Sequence, residues 1–353
     1  MSPARPGAVG DPAQHYGNPL GEQRALARGE AIVELTDRDV LTITGPDRLS
    51  WLDSLTSQAL AGLAAGESAE TLLLDPSGRV EYAIRVLDDG EETWLLLDAG
   101  AGAGLHAFLE RMRFMLRVEV ADRSPGFATI GSLGAEVPAV ASPHGIPLIW
   151  HDPWRSVAAG GHQYATGEHP AAGWQYTESL VERSRLGELS GLPAAGTLAL
   201  EALRIAAWRP RAATEVDATT IPHELDWLRS AVHLTKGCYR GQETVAKVHN
   251  LGHPPRRLVL LHLDGSDGVL PEAGAAVRAG ETEIGRVTAS ALHHELGPIA
   301  LAVVKRSADP AATLTVAVED GPDIAAAQQL IVPPDAGAEA DVPRLPRLGS
   351  VRR

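Results

Sequence analysis

Cys238, the one cysteine of the chain, lies in a polar segment whose composition suits thiol chemistry. The segment runs from Lys236 to Glu243 and reads Lys-Gly-Cys-Tyr-Arg-Gly-Gln-Glu. Its glycines, Gly237 and Gly241, permit backbone angles that other residues avoid and let a neighbouring backbone or a ligand approach closely. A thiol next to cationic side chains ionises more readily, and the thiolate is the nucleophilic form. The sequence therefore predicts a tight polar turn that presents a reactive cysteine.

The chemical role of Cys238 has several alternatives. The thiol can act as a nucleophile, as a single ligand to iron or to a cluster, or as a redox switch. One cysteine cannot supply four thiolates, so a bound cluster would need a second chain, a partner protein or small thiols. A lone cysteine is also often a small buried hydrophobic residue. Because Lys, Tyr, Arg, Gln and Glu surround it, we favour a chemical role and predict Cys238 as the catalytic residue.

Two histidines near the cysteine have a spacing that metal sites use. His249 and His253 lie four residues apart, and together with Cys238 they would offer three zinc ligands. Gly252 and the prolines after His253 argue against a helix there, and without a helix the spacing loses its meaning. We therefore expect free surface histidines and predict no metal site.

The composition of the chain excludes several classes of function. The 353 residues carry a formal net charge of −14, which disfavours broad electrostatic binding of nucleic acid. A single cysteine excludes an intramolecular disulfide. The chain has no apolar run of about eighteen residues, and its N-terminus lacks the apolar core of a secretory signal. We expect a cytoplasmic protein that does not bind membranes.

Local patterns divide the chain into four parts. Residues 1–29 are rich in Pro, Gly and Ala, and we expect a mobile arm. Residues 30–250 alternate short strands and helices, which predicts an α+β region of two subdomains, the second at about 124–190. Five short strands with turn spacing indicate a small β-barrel at 255–331. The remaining residues, 332–353, are predicted to be a disordered tail.

Three elements of the α+β region can be placed more closely. A hairpin is predicted around the turn Asp75–Gly78. A helix is predicted after it, because five apolar residues fall on one helical face: Leu105, Phe108, Leu109, Met112 and Leu116. A later helix is predicted to begin at Thr197, and we expect its Glu201 and Arg204 to form a solvated ion pair.

The cysteine segment also carries a family resemblance. Lys-Gly-Cys-Tyr-Arg-Gly-Gln-Glu resembles the signature of the YgfZ-type folate-binding proteins, which are relatives of the glycine cleavage T-protein (aminomethyltransferase). The likeness covers roughly residues 31–320 and implies a T-protein-like folate-binding fold, with mixed sheets and helices followed by a small C-terminal β-barrel. Further segments resemble the family in the same order along the chain: Leu41–Arg48, Leu74–Val80, Glu201–Pro210, Glu215–Asp217 and Ile221–Glu224.

The resemblance implies tetrahydrofolate or a derivative as the cofactor. The pterin ring of a folate offers adjacent N–H donors, and a buried carboxylate pairs with two donors through strong charge-assisted hydrogen bonds. Glu215 holds the position that reaches the pterin in the family. The anionic glutamyl tail calls for basic side chains at the cleft. The candidate folate-binding residues are charged, amide or aromatic: Glu215, Arg204, Lys236, Tyr239, Gln242, Glu243 and Arg257.

One departure from the T-proteins bears on activity. T-proteins carry adjacent aspartates on the early hairpin, and one of them is the acid–base group for aminomethyl transfer. The corresponding stretch here is Gly78-Arg-Val-Glu81-Tyr82-Ala83, which contains no aspartate. Glu81 lies one position away, so we expect its side chain on the opposite face of the strand. The missing aspartate disfavours aminomethyltransferase activity.

The resemblance to the YgfZ-type proteins implies an accessory role in iron–sulfur cluster assembly or repair, including the clusters of tRNA-modifying enzymes. Folate and iron–sulfur proteins or assembly factors are the implied partners. Two alternatives stay open. One is a tetrahydrofolate-dependent aminomethyltransferase or one-carbon transferase, and the other is a binding module without chemistry. We predict the accessory role, with Cys238 essential to it.

Overall fold

The computed structural model describes residues 5–266, 268–319 and 321–340. The helices are α1 (Pro19–Ala27), α2 (Arg48–Leu55), α3 (Gly102–Met112), α4 (Thr197–Ala206), α5 (Ala212–Glu215) and α6 (Gln242–Leu251). The strands are β1 (Ile32–Leu35), β2 (Asp39–Thr44), β3 (Ser68–Leu74), β4 (Val80–Asp88), β5 (Glu92–Leu97), β6 (Glu119–Asp122), β7 (Phe127–Leu133), β8 (Ile149–His151), β9 (Tyr176–Glu182), β10 (Arg256–Leu263), β11 (Ala276–Ala279), β12 (Thr282–His293), β13 (Gly297–Lys305), β14 (Leu314–Val316) and β15 (Ile324–Leu330).

The strands form two open sheets and a closed barrel. One sheet has the order β3-β4-β5-β2-β6, the other has the order β1-β7-β9-β8, and the barrel has the order β10-β13-β12-β11-β14-β15. Neighbouring strands in all three are antiparallel. The predicted α+β class with a C-terminal barrel is confirmed.

The early hairpin forms as predicted. β3 pairs with β4 from Ser68 opposite Leu87 to Leu73 opposite Tyr82, and the register shifts beside Leu74. The turn depends on Gly78, whose φ of +79° is readily adopted only by glycine and where a Cβ would lie 2.8 Å from the Cβ of Thr244. The hairpin is therefore shaped to receive the segment that leads into α6.

Helix α3 is shorter than the apolar stripe from Leu105 to Leu116 predicts. Leu105 and Leu109 are buried, but α3 ends at Met112, and Phe114 adopts a left-handed φ of +46°. The end of the predicted stripe therefore leaves the core, with Met112 and Leu116 more than 40% exposed. The spacing of apolar residues does not show where a helix ends, because this helix ends where the backbone of Phe114 becomes left-handed.

The second sheet corrects the predicted subdomain boundary. Its edge strand β1 lies about 90 residues before its neighbour β7 in the sequence, so the sheet is not confined to residues 124–190. Ile32 on β1 packs with Ile130 and Val181 in the core beneath this sheet. A strand contributed from elsewhere in the chain leaves no mark in the local sequence pattern.

The barrel has six strands, one more than predicted. The additional strand, β15, pairs with β10 and closes the barrel. Its sequence is Ile-Ala-Ala-Ala-Gln-Gln-Leu, which has one β-branched residue and no aromatic residue, so the usual marks of a strand are weak. Strand β10 is buried on both faces: Val259 and Leu261 point into the barrel, and Leu258 and Leu260 pack against the rest of the chain.

Both predicted mobile ends are packed over the part that the structure describes. Residues 5–29 contain helix α1, which buries Leu26, and Arg5 forms an ion pair with Glu34 at 2.6 Å. Residues 332–340 lie against α6, where the backbone N–H of Glu339 donates to the carbonyl of His249 at 2.9 Å. These expectations were wrong because a Pro- and Gly-rich composition does not reveal long-range contacts. The rest of the predicted tail, residues 341–353, lies outside the described residues.

Within the described residues, the longest helices are far shorter than the thickness of a bilayer, and none combines the length and apolarity needed to cross a membrane.

Candidate functional site

A cavity opens between the two sheets, helix α4 and the loop that leads to α5. We call it the ion-pair cavity. Its volume is about 60 Å³. Its lining contains five arginines and five carboxylates beside aromatic and aliphatic groups: Arg38, Arg85, Arg204, Arg209, Arg211, Glu70, Asp98, Asp152, Glu178, Glu201, Leu35, Ala83, Trp174, Tyr176, Thr197, Leu200, Pro210, Ala212 and Trp227.

The first ion-pair group joins the two sheets. Asp98 lies 3.0 Å from Nη1 of Arg38 and 3.0 Å from Nη2 of Arg85. The same arginines approach Oε1 of Glu178, which also accepts a hydrogen bond from the Tyr176 hydroxyl at 2.9 Å. Burial disfavours an ionised Asp98, but the nearby arginines more than offset it and hold the pKa of Asp98 below its usual range. The group is therefore charged and held in place by its own partners.

The second group connects helix α4 with the following loop. Arg204 donates to Glu201, and its Nη1 lies 2.8 Å from Oε2 of Glu215. Burial opposes ionisation of Glu201, but Arg204 more than offsets it and lowers the pKa of Glu201. The predicted solvated pair of Glu201 and Arg204 is therefore wrong: Arg204 is buried and lines the cavity. The spacing on one helix face does not show whether that face meets solvent or another sheet.

The third group lies at the floor of the cavity. Nη2 of Arg209 donates to Glu70 at 2.7 Å, and Nε donates to Asp152 at 2.9 Å. Glu70 also accepts from the Trp227 indole at 3.1 Å and from the Ser230 hydroxyl at 2.6 Å. The carboxylates here have several donors each, as buried charges require.

Of the predicted folate-binding residues, Arg204 lines the ion-pair cavity and Glu215 lies behind it. Oε2 of Glu215 accepts from Arg204, from the backbone N–H of Arg211 at 2.8 Å and from the Thr214 hydroxyl at 2.7 Å. Its other oxygen, Oε1, is buried and has no partner within the described residues. Glu215 therefore holds Arg204 and the loop in place, and it is not part of the cavity lining.

The cysteine turn, residues 236–243, presents an exposed Cys238. Lys236 fixes the turn because its ammonium donates to the backbone carbonyls of Asp53, Thr56 and Gln58 at 2.5–2.9 Å. Burial lowers the pKa of Lys236, and the nearby Asp53 partly offsets this effect. The Lys236 ammonium therefore binds backbone carbonyls and does not line the cavity. Its predicted contact with folate would require it to leave these carbonyls.

The remaining residues of the turn also have structural partners. Tyr239 is buried, with the Lys236 ammonium 5.5 Å from the centre of its ring. The side-chain amide of Gln242 donates to the carbonyl of Lys236 at 3.3 Å. Glu243 is exposed in the first turn of α6, where a carboxylate is favourable to the helix dipole. None of these residues lines the ion-pair cavity.

Arg257 lies apart from the predicted site. It shares a face of β10 with Val259 and Leu261, which pack inside the barrel, and its side chain is fully buried. Its Nη2 donates to the carbonyl of Ala308 at 3.0 Å and to the side chain of Gln328 at 2.9 Å. The structure does not bring Arg257 to the cavity, because alternation along β10 directs it into the barrel.

The cysteine turn contacts strand β4 near its beginning. Arg240 in the turn donates to Glu81 at 2.9 Å. Glu81 is the unpaired residue at the register shift between β3 and β4, so the alternation that presents Ala83 and Arg85 to the cavity does not extend to it. Glu81 is exposed and is not among the residues that line the cavity, and its predicted orientation away from the site stays a prediction.

The two histidines near the turn contact other parts of the chain. His249 lies within α6, and its Nδ1 is 3.1 Å from the Tyr164 hydroxyl. His253 follows the helix, and its Nδ1 is 2.8 Å from the carbonyl of Ala336. In the part of the chain that the structure describes, no three His, Cys, Asp or Glu side chains are grouped as a metal site.

Sequence reasoning missed most of the cavity residues. Glu70 on β3, Arg85 on β4 and Glu178 on β9 interrupt strands that are otherwise largely buried. A charged residue inside a buried strand needs a partner, and that was the available signal. The partners themselves come from distant segments and were not visible.

Comparison with known proteins is consistent with this architecture. Residues 256–330 match the glycine cleavage T-protein C-terminal barrel domain. The chain is 26% identical over 328 residues to an aminomethyltransferase from Streptomyces avermitilis, covering 86% of each chain, and 25% identical over 327 residues to one from Symbiobacterium thermophilum, covering 82% of each. The crystal structure of glycine cleavage system aminomethyltransferase T from Bartonella henselae superimposes with a TM-score of 0.68 at 17% identity, covering 92% of both chains. The chain therefore has a T-protein-like fold that ends in a T-protein C-terminal barrel domain.

Proposed function

We propose that this chain is a folate-binding protein that assists iron–sulfur cluster assembly or repair, with Cys238 as its reactive group. The single observation that carries the proposal is an exposed thiol on a turn that Lys236 fixes to the framework, in a T-protein-like fold that also contains a charged cavity. The aminomethyltransferase relatives support a folate ligand, and the Lys236–Glu243 signature supports the YgfZ-type branch. The accessory role extends to the clusters of tRNA-modifying enzymes.

The chemistry of the cavity fits a reduced folate. A pterin needs acceptors for its N–H groups, and Oε2 of Glu178 is a buried acceptor without a partner in the described part of the chain. An anionic tail needs a cation near the mouth, and the lining contains arginines. When bound, tetrahydrofolate supplies a carrier for one-carbon groups. Arg204, held by Glu215, would be one of the residues around it.

The size of the cavity requires movement on binding. A water molecule needs about 10–15 Å³ by the same measure of volume, so the cavity has room for about four to six waters. A bicyclic ring must therefore displace some of the ion-paired side chains. The loop from Arg209 to Glu215 carries two of the lining arginines, Arg209 and Arg211, and its rearrangement would widen the cavity.

Cys238 suits contact with a large partner. The thiol is exposed, and Lys236 and Gln242 fix the backbone on which it lies. A single thiolate supplies one ligand to a cluster, and the partner protein that receives or donates the cluster supplies the others. In this proposal the cluster is cargo, and the chain holds it only in the complex.

The rival function is aminomethyl or one-carbon transfer, which the names of the relatives suggest. Strand β4 presents Ala83 and Arg85 to the cavity, and its nearest carboxylate, Glu81, is exposed and neutralised by Arg240. Neither Ala83 nor Arg85 can act as the acid–base group of the transfer reaction. Strand β4 therefore favours binding of folate over aminomethyl transfer. Tetrahydrofolate-dependent methylene transfer from an aminomethyl-lipoyl carrier by the purified chain would establish the rival function.

The experiment that tests the proposal is complementation of a strain that lacks this chain. Wild type and Thr235→Ser, which alters the exposed residue directly before the turn, should restore the activities of several cluster enzymes. Cys238→Ser should restore none of them at equal protein levels. Full rescue by Cys238→Ser would overturn the role of the thiol, and unchanged cluster enzymes in the deletion strain would overturn the accessory function itself.

A further inference from the structure

We propose that residues 111–117 dock an acidic protein partner, namely the cluster protein that meets Cys238. The segment reads Arg-Met-Arg-Phe-Met-Leu-Arg and runs from the last turn of α3 toward β6; we call it the basic loop. The inference rests on the proposed accessory function and adds the surface by which the chain holds its partner. None of these residues lines the ion-pair cavity or belongs to the cysteine turn.

The basic loop carries the most exposed large apolar side chains in the described part of the chain. Phe114 is 89% exposed and Met115 is 87% exposed, and Met112 and Leu116 beside them are each more than 40% exposed. Single exposed apolar residues are common on protein surfaces. Four of them within five consecutive positions make a patch, and such a patch marks an interaction site.

The backbone of the basic loop holds this patch outward under strain. Phe114 has a left-handed φ of +46°, which is unfavourable for a bulky residue and persists only where the surroundings impose it. The backbone N–H of Leu116 donates to the carbonyl of Arg113 at 3.0 Å and closes a turn around Phe114. A glycine would adopt this conformation without strain, so the exposed ring at this position lowers the stability of the free chain.

Both ends of the basic loop are anchored. Before it, Leu105 and Leu109 bury one face of α3. After it, the backbone N–H and the guanidinium of Arg117 donate to the carboxylate of Asp47 at 2.7–3.0 Å, and Val118 is buried. A loop that is already ordered loses little conformational entropy on binding. The exposed side chains of the tip are therefore suited to anchor a partner.

The charge of the basic loop indicates an acidic partner. The whole chain has a formal net charge of −14, yet residues 111–117 contain three arginines and no acidic residue. Arg111 is exposed, and within the described residues its guanidinium contacts the ring of Phe108 and no carboxylate. An apolar tip flanked by arginines complements an apolar pocket with carboxylates at its rim.

The ion pairs of the other two arginines leave this charge available. Arg117 is 73% exposed, whereas Asp47 is 23% exposed, so the guanidinium of this pair is the group that faces outward. Arg113 lies 3.6 Å from Glu110, and both side chains are well exposed. An exposed pair of this kind contributes little free energy, so Arg113 can exchange Glu110 for a carboxylate of the partner.

Charge also disfavours three other occupants of the basic loop. The net negative charge of the chain opposes its approach to an anionic membrane. A second copy of the chain has the same net charge, so the two copies repel each other. Residues 341–353, which lie outside the described part, contain four arginines and one aspartate and do not complement a basic segment.

The basic loop lies close to the cysteine turn. The guanidinium carbons of Arg111 and Arg240 lie 6.0 and 5.6 Å from the centre of one ring, that of Phe108, so they are within about 12 Å of each other. Arg240 is two residues from Cys238. An ordinary protein interface buries about 800 Å² on each partner, a patch wider than this separation. A partner that docks on the basic loop therefore reaches the turn that carries the thiol.

The docking is tested with the cluster enzymes whose activities fall in the deletion strain, each purified and titrated against the intact chain in a calorimeter. Phe114→Ser combined with Met115→Ser should weaken binding by about tenfold or more, because apolar anchors carry most of the affinity of an interface. Arg111→Glu should weaken binding by about fivefold at low salt and make it less dependent on salt. Arg111→Lys should restore both properties, because it keeps the charge.

The matched control is Leu292→Ser combined with Leu296→Ser. It removes two exposed leucines from the hairpin of β12 and β13 in the barrel, and it should bind as wild type does. Because Phe114 and Met115 are exposed, their double variant should melt cooperatively, and its Cys238 should react with an alkylating reagent at the wild-type rate. Lost affinity then comes from the basic loop and not from the thiol or the fold.

The contrary outcomes separate the docking surface from the accessory function. Wild-type affinity in the Phe114 and Met115 double variant, or no binding of these enzymes by wild type, would overturn the docking surface alone. So would flotation with phosphatidylserine–phosphatidylcholine vesicles that the double variant loses, or a wild-type dimer that it loses in sedimentation equilibrium. If no cluster enzyme loses activity in the deletion strain, the proposed function is overturned as well.

Discussion

Nη1 of Arg240 lies 2.9 Å from Oε2 of Glu81, and this contact joins the turn that carries Cys238 to the strand that lines the ion-pair cavity. The guanidinium of Arg240 also lies 5.6 Å from the ring centre of Phe108 on α3. The turn that carries the thiol is therefore fixed to the same strand that presents Ala83 and Arg85 to the cavity.

The cysteine turn depends on a glycine that cannot carry a side chain. Gly241 has a φ of +84°, and a Cβ there would lie 2.7 Å from the carbonyl oxygen of Asp75. We expect Gly241→Ala to push the turn away from the β3–β4 hairpin and to increase the rate at which Cys238 reacts with an alkylating reagent.

The matched control for this change is Gly237→Ala, four residues earlier in the same turn. Gly237 has no atom within 4 Å of the position a Cβ would take. Its variant should label at the wild-type rate. Identical labelling of all three proteins would show that the close contact with the hairpin does not hold the turn.

Loss of Arg209, the buried arginine at the cavity floor, should lower the free energy of unfolding strongly. Arg209→Met leaves Glu70 and Asp152 without their cation, and breaking a buried pair in this way costs on the order of 3–5 kcal/mol. Urea unfolding followed by circular dichroism measures the loss. Arg185→Met, at an exposed ion pair, should unfold at the wild-type midpoint.

Arg204 and Glu215 should behave as one unit. Their side chains are both buried and meet at 2.8 Å, so Arg204→Met leaves Glu215 without a cation, and Glu215→Gln leaves Arg204 with Glu201 alone. We expect a double-mutant cycle with Arg204→Met and Glu215→Gln to give a coupling free energy of about 1–3 kcal/mol in unfolding experiments. Strictly additive losses would mean that the two residues do not support each other.

Asp226 should make the stability depend on pH. Burial raises the pKa of Asp226 to about 7, against the ordinary pKa of 3.8 expected in the unfolded chain, although the backbone N–H groups of Tyr164 and Ala165 lower it somewhat. Between these values the folded state retains a proton that the unfolded state has released, so stability falls as pH rises from about 4 to about 7. The fall attributable to this residue is on the order of 4 kcal/mol.

Asp226→Asn removes this titration while keeping a side chain that tolerates the left-handed backbone found there. The difference in unfolding free energy between wild type and variant should therefore shift in favour of the variant as pH rises. Urea midpoints measured at several pH values between 4 and 8 check the sign. A constant difference across this range would show that Asp226 does not retain its proton in the folded state.

Local sequence signals predicted the elements that local chemistry determines. The turn at Asp75–Gly78 and the helix beginning at Thr197 follow from glycine, proline and apolar spacing, and both form. The cysteine turn is tight and polar, as its two glycines indicated. In each case the residues that specify the element are its own.

The rest of the site depends on contacts between distant segments. Lys236 looked available to a ligand, but the carbonyls at the end of α2 bind it. Arg257 looked available as well, but the closure of the barrel encloses it. Glu178 belongs to no recognisable motif, because the residues that place it at the cavity, Arg38 and Arg85, come from distant segments of the chain. Tertiary packing, and not residue type, decides which charged groups face a cavity.

The central claim is that a reduced folate binds in the ion-pair cavity, and blocking that cavity tests it most directly. Ala83 faces the cavity from β4, and Ala83→Phe places a ring in the space the ligand needs. Calorimetric titration with tetrahydrofolate should show one site per chain in wild type and no binding in an Ala83→Phe protein that melts cooperatively. Binding of equal strength in both proteins, or no binding in wild type, would contradict the account.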